Sequence, residues 1–194
     1  MGHGIAQVSA MAGHEVTLRD VEPGIVDEGV DSIRSNLEGG VERGKVTEAE
    51  KQATLERLSG ETDLTAAVED ADLVAEAVPE DIDLKTTVLA DAEEVAGEDA
   101  ILATNTSSLS VTELASGLER PGSLIGLHFF NPVHIMSLVE VVVGERTDQS
   151  ARTFAVEFVE GIDKTPVVVR DVPGFASSRL GVALGVEAIR MVEE

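Results

Sequence analysis

The sequence predicts a doubly wound α/β fold, and three observations carry that expectation. Strand-like runs alternate with helical patterns along the chain. Apolar residues make up 43% of the 194, enough for a sizeable core. No internal repeat or low-complexity stretch interrupts the alternation. "GHGIAQVSAMAGH" sets small and apolar residues at helical spacing before a Gly-His stop. "EVTLRD" (15–20) is a short strand ending in Asp20. A long polar helix opens at Pro23, a residue suited to a first helical turn. A second helix covers 47–58, where Thr47 and Glu50 form a capping-box pair. "DLVAEAV" (72–78) is an apolar strand, followed by the helical "EDIDLKTTVLADAEEVA". "AILATNTSS" (100–108) is a strand running into a polar loop. "SLIGLHFFNP" and "SLVEVVVG" are two strands about a turn at Asn131-Pro132. A helix over about 148–161 leads to the strand "TPVVVRD" (165–171). Pro173-Gly174 makes a turn, and a helix rich in Ala, Val and Leu runs from Phe175 to the end. The break at "RDVPGF" divides the chain into an α/β domain, 1–171, and the start of a helical one, 172–194.

Charge and composition narrow the function. Lys and Arg total 14 against 37 Asp and Glu, a net charge of −23 that repels nucleic acid and anionic membranes. The acid is spread along the chain, so it is a surface property. This pattern suits a protein that works in high salt, which screens self-repulsion; an ordinary acidic protein is the alternative. With no Cys, disulfides and cysteine metal sites are excluded. No basic-then-apolar leader opens the sequence and no apolar run approaches membrane-spanning length, so a cytoplasmic location is expected.

The opening residues suggest a dinucleotide. In G-x-G-x-x-G the glycines allow a tight turn and close approach of the pyrophosphate to a helix N-terminus. Here Gly2 stands as the third glycine. Asp20, ending the next strand, stands where a carboxylate binds ribose hydroxyls and favours NAD over NADP. Ordinary helix packing at Gly2 and a helix cap at Asp20 are the bland alternatives. On the dinucleotide reading the fold is Rossmann-like, with its first strand and first two glycines upstream of Met1. "GVEAIRMVEE" also stops mid-helix without a cap. A fragment is therefore expected, and the 194 residues alone are expected to fold poorly and to be inactive, without tight NAD binding.

"MGHGIAQVSAMAGHEVTLRD", "TNTSSL", "GLHFFNPVHIMSLVEVV" and "DVPGFASSRL" occur in this order. With them the chain resembles the 3-hydroxyacyl-CoA dehydrogenases over essentially its whole length. The resemblance implies a Rossmann-like domain followed by an all-α dimerisation domain. It also implies NAD as cofactor, an L-3-hydroxyacyl-CoA substrate oxidised to 3-oxoacyl-CoA, and a homodimer with neither nucleic acid nor membrane as partner. Two other classes stay open: a related dehydrogenase of a free hydroxy or sugar acid, and an inactive or structural relative.

Oxidising a secondary alcohol requires a base for the hydroxyl proton, and neutral His suits that task near pH 7. His128 closes one strand and Glu140 lies within a valine run twelve positions on, across a turn. A neighbouring strand can bring the carboxylate to one imidazole nitrogen, fixing the tautomer and leaving the other nitrogen for substrate. The family resemblance assigns these two positions to its catalytic pair. It adds Ser107 and Asn131 as hydrogen-bonding partners of the substrate, Ser107 also touching cofactor, with Asn105 near the nicotinamide ribose. Turn chemistry is the alternative for all three. Glu80 and Lys85 match cofactor positions, or are a helix-start acid and a solvated lysine. Ser178 stands where many members carry a substrate-positioning Asn, and Asn36, Arg43 and Lys45 are candidates for the CoA nucleotide. His3, His14 and His134 have no acids at metal-ligand spacing and are expected at the surface, so no metal site is expected.

Overall fold

A computed structural model describes residues 1–193. The elements in chain order are α1 (Gly2–Met11), β1 (Val16–Arg19), α2 (Pro23–Glu42), α3 (Glu48–Glu56), β2 (Leu58–Glu61), α4 (Leu64–Val68) and β3 (Leu73–Glu76). They continue with α5 (Ile82–Val95), β4 (Ile101–Thr104), α6 (Val111–Ala115), β5 (Leu124–Phe129), β6 (Leu138–Val143), α7 (Gln149–Gly161), β7 (Thr165–Arg170) and α8 (Ser177–Glu193). The architecture is α/β and Rossmann-like, but the expected single sheet is two. A mixed sheet runs β3-β4-β5-β6-β7, and β1 and β2 form a separate parallel pair. β3 to β5 are parallel, β6 is antiparallel to β5, and β7 is parallel to β6.

Both faces of the sheet are covered at its central strands β4 to β6, which suits their apolar runs, while the edge strand β7 is largely exposed. On one face Ile125, Leu127, Phe129, Val139 and Val141 pack against Ile5 and Val8 of α1 and Ala155 and Val159 of α7. On the other, Leu102, Leu124 and Val142 meet Leu89 of α5, Leu114 of α6 and Phe175. β5 is buried throughout. Gly126 admits that closeness, because a Cβ there would lie 2.7 Å from Val142 Cβ and 3.0 Å from Val111 Cγ2. Ile33 and Leu37 of α2 pack with Ala6 of α1 above the β1–β2 pair.

Three expectations are corrected. The helix foreseen over 47–58 ends at Glu56, and Leu58 opens a strand instead. Leu58 lies opposite Val16, so pairing with β1 overrides the helical pattern. The capping box is present, with the Glu50 amide donating to Thr47 Oγ1 and the Thr47 amide to Glu50. Short helices α4 and α6, capped by Asp63 and Ser110, were not foreseen. The last helix begins at Ser177 rather than Phe175, after a turn in which Gly174 and Phe175 have φ of 75° and 47°. None of its residues is buried; its expected extension to Glu194 lies outside the described residues.

Candidate active site

His128 and Glu140 meet because β5 and β6 pair in register. They are direct cross-strand partners, so both side chains leave the same face. His128 Nδ1 lies 2.7 Å from Glu140 Oε2. The Glu140 side chain is 1% exposed and the His128 side chain 8%. A carboxylate so sealed requires several partners. It has them: the amides of Ala176 (3.0 Å) and Ser177 (2.8 Å) donate to Oε1, and Ser177 Oγ donates to Oε2 at 2.9 Å. Burial pushes the Glu140 carboxyl up, but the bonds from His128, Ser177 and Ala176 outweigh it and hold it below its ordinary value. The carboxylate is therefore ionised near neutrality and accepts the Nδ1 proton, which leaves a lone pair on Nε2. Nε2 has no hydrogen-bond partner among the described residues. The rings of Phe130 and Phe175 flank the imidazole at 4.6 and 5.8 Å.

The loop after β4 is tied to this pair and to Glu80. Asn105 Oδ1 accepts the Phe129 amide at 3.0 Å, next to His128. Glu80 Oε1 accepts Thr106 Oγ1 (2.6 Å) and the amides of Ser107 (2.9 Å) and Ser108 (3.2 Å). Burial raises the Glu80 carboxyl, but Thr106, Ser107, the Lys85 charge and Ser108 together hold it low. Ser107 is exposed, its hydroxyl unclaimed among the described residues.

Lys85 is not the solvated lysine of the alternative reading, because it has no exposed surface. Its ammonium donates to Glu76 at 2.8 Å and to the Val78 carbonyl at 3.0 Å, and lies 3.6 Å from Glu80. Lys85 supports the loop from beneath, through Glu80. Glu76, which also accepts Thr104 Oγ1 at 2.7 Å, was missed because a lone Glu in "LVAEAV" gives no sign of its partner nine residues on. Ser177 was missed too, since only the fold brings the start of α8 onto Glu140.

Asn131 is exposed and lines a cleft of about 260 Å³ with His3, Gly4, Asn36, Pro132, Val133 and His134. Asn36 Nδ2 donates to Gln7 at 3.1 Å on the cleft wall. Arg43 and Lys45 are exposed at the end of α2. Burial and the charges of Arg43 and Lys164 hold His134 below its ordinary value. His134 and His3 are therefore half-buried cleft residues rather than bare surface. Ser178 is half-buried beside Ser177 and makes no side-chain bond among the described residues. A larger cleft of about 610 Å³, bounded by Glu98, Arg120 and Asp148, contains none of the candidate residues. No metal-binding group of His, Asp and Glu occurs among the described residues, and no helix there is long and apolar enough to cross a membrane.

The residues at the start of α1 suit a dinucleotide. α1 opens on Met1 without a side-chain cap. A Cβ on Gly2 would occupy the crevice between the two sheets, 3.8 Å from Ala77 Cβ and 3.9 Å from Leu18 Cδ1. Asp20 follows β1, half-buried, with one oxygen accepting the Val21 amide at 2.7 Å. Val21 and Ile25 beside it are exposed apolar residues.

Fold and site together define a dinucleotide-binding α/β domain with a buried His–Glu pair. The 3-hydroxyacyl-CoA dehydrogenase, NAD binding domain family matches residues 1–172. The chain is 41% identical over 189 residues to 3-hydroxybutyryl-CoA dehydrogenase of Clostridioides difficile, covering 97% of this chain and 67% of that protein. It is 44% identical over 180 residues to the fatty acid oxidation complex subunit alpha of Idiomarina loihiensis, covering 93% of this chain and 25% of that one. The solved 3-hydroxybutyryl-CoA dehydrogenase from Escherichia coli superposes with a TM-score of 0.96 at 39% identity, over 100% of this chain and 41% of that one. The chain belongs to the 3-hydroxyacyl-CoA dehydrogenase family and carries its NAD-binding domain. It spans about a quarter of the Idiomarina loihiensis protein and about two-thirds of the Clostridioides difficile dehydrogenase.

Proposed function

We propose that this protein oxidises L-3-hydroxyacyl-CoA to 3-oxoacyl-CoA with NAD, in fatty-acid β-oxidation or butanoate-type metabolism. The observation that carries the reading is the 2.7 Å bond between His128 and a buried, ionised Glu140. His128 Nε2 accepts the proton of the substrate's 3-hydroxyl, and Glu140 stabilises the imidazolium that results. NAD, when bound, supplies the acceptor for the hydride on C3. The Ser107 hydroxyl and the Asn131 amide hold the substrate's 3-oxygen, and Ser107 also borders the cofactor. Asn105 fixes the loop near the nicotinamide ribose, while Gly2, Asp20, Glu80 and Lys85 form the dinucleotide site, Lys85 from beneath Glu80. Ser178 positions the acyl group. Asn36, Arg43 and Lys45 take the CoA nucleotide, a reading supported by the basic groups about the cleft in a chain of net charge −23. A cytoplasmic homodimer, with 172–194 opening the helical dimerisation domain, belongs to the same proposal.

The test is NAD-linked turnover, in molar KCl, by the product of the whole reading frame. 3-Hydroxybutyryl-CoA and a longer 3-hydroxyacyl-CoA are compared with free 3-hydroxybutyrate. Turnover of the thioesters alone is expected. Turnover of the free acid alone refutes the CoA assignment and supports a hydroxy-acid dehydrogenase.

A further inference from the structure

The two oxygens of Glu140 carry different loads. Oε1 accepts two backbone amides, those of Ala176 and Ser177. Oε2 is shared: His128 Nδ1 approaches at 2.7 Å and Ser177 Oγ at 2.9 Å. Three of the four donors therefore come from the residues that open α8, and one hydroxyl contacts the oxygen that orients the imidazole.

We propose that Ser177 is a positioning residue of the His128–Glu140 pair, its hydroxyl dividing Oε2 with the imidazole and so setting how tightly the pair holds a proton. A donor on the same oxygen draws electron density from the lone pair that faces Nδ1. The hold of Oε2 on the Nδ1 proton is then shared between two donors. Glu140 from β6 is the charged group paired with His128 among the described residues. Phe130, beyond the end of β5, and Phe175, in the turn before α8, flank the ring without charge. The proton balance of the pair thus depends on the seating of the first turn of α8. The catalytic meaning of this device rests on the proposed activity, but the proton balance itself does not.

Histidine titration by NMR on the full chain, without substrate, tests the inference. The 194 residues contain four His, and H128Q identifies the resonance in question. In S177A the His128 midpoint is expected to rise by about half a pH unit or more, since a donor to its counter-ion is lost. S177T retains the hydroxyl and is expected to keep the wild-type midpoint. Unmoved midpoints at His3, His14 and His134 report that the fold is intact. An unchanged or lowered His128 midpoint in S177A overturns the inference, as does S177T behaving like S177A. Failure of the proposed activity leaves this titration standing, so the two are judged separately.

Discussion

Glu140 is held ionised in a place that disfavours ions. Burying an unpaired carboxylate costs several kcal/mol, and four hydrogen bonds offset that cost here. Replacing it with Gln removes the charge that supports imidazolium. Glu140→Gln is expected to lower kcat about 100-fold or more with NADH affinity unchanged, read by steady-state kinetics and NADH fluorescence titration. The same bonds make stability depend on acid. A carboxyl held below its ordinary value of 4.5 contributes stability that is fully present above that value and is lost as pH falls through its lower, folded-state value. Thermal melts from pH 6 to pH 3 should therefore show a smaller acid loss in Glu140→Gln than in the wild type. The pair was legible in the sequence because a lone Glu in "LVEVVV" contradicts its surroundings. Ser177 was not, because a serine at a helix start is ordinary until the fold sets it against a carboxylate.

The loop between β4 and α6 is organised by one carboxylate. Glu80 gathers Thr106, Ser107 and Ser108, and Lys85 braces Glu80 from a fully buried position against Glu76. Glu80→Gln is expected to weaken these bonds together. Amide exchange at Ser107 and Ser108 should quicken, and NADH affinity should fall about threefold to tenfold. Unchanged exchange would mean that the loop holds itself. α3 offers a simpler case: Thr47→Ala removes the hydroxyl half of its cap and should cost about 1 kcal/mol in chemical denaturation. That cap was visible as a four-residue pattern. "LSGE" of β2 was not recognised as a strand, since its four half-buried or exposed residues show no apolar alternation. Its strand identity comes from β1 alongside it.

Across the whole molecule, the five-stranded sheet and the β1–β2 pair share no backbone ladder, and α1 packs against both. Amides of Thr17 and Leu18 in β1 are expected to exchange faster than those of Leu127 and Val141, which lie in the buried centre of the larger sheet. The α/β class was legible because alternation of patterns survives any error in one element. The separation into two sheets was not drawn from the sequence, although a doubly wound order without its first strand parts the second strand from the fourth. The net charge of −23 acts at this scale as well: the melting temperature should rise from dilute buffer to molar KCl as self-repulsion is screened. A melt independent of salt would refute the high-salt reading.

The most direct test of the central claim compares wild type and His128→Gln, expressed from the whole reading frame, for NAD-linked oxidation of 3-hydroxybutyryl-CoA with NADH affinity measured in parallel. Rapid turnover is expected of the wild type, and in the variant turnover lower by about 100-fold or more at near-unchanged NADH affinity. Equal turnover by the two proteins would contradict that claim, because the imidazole could not then be the base.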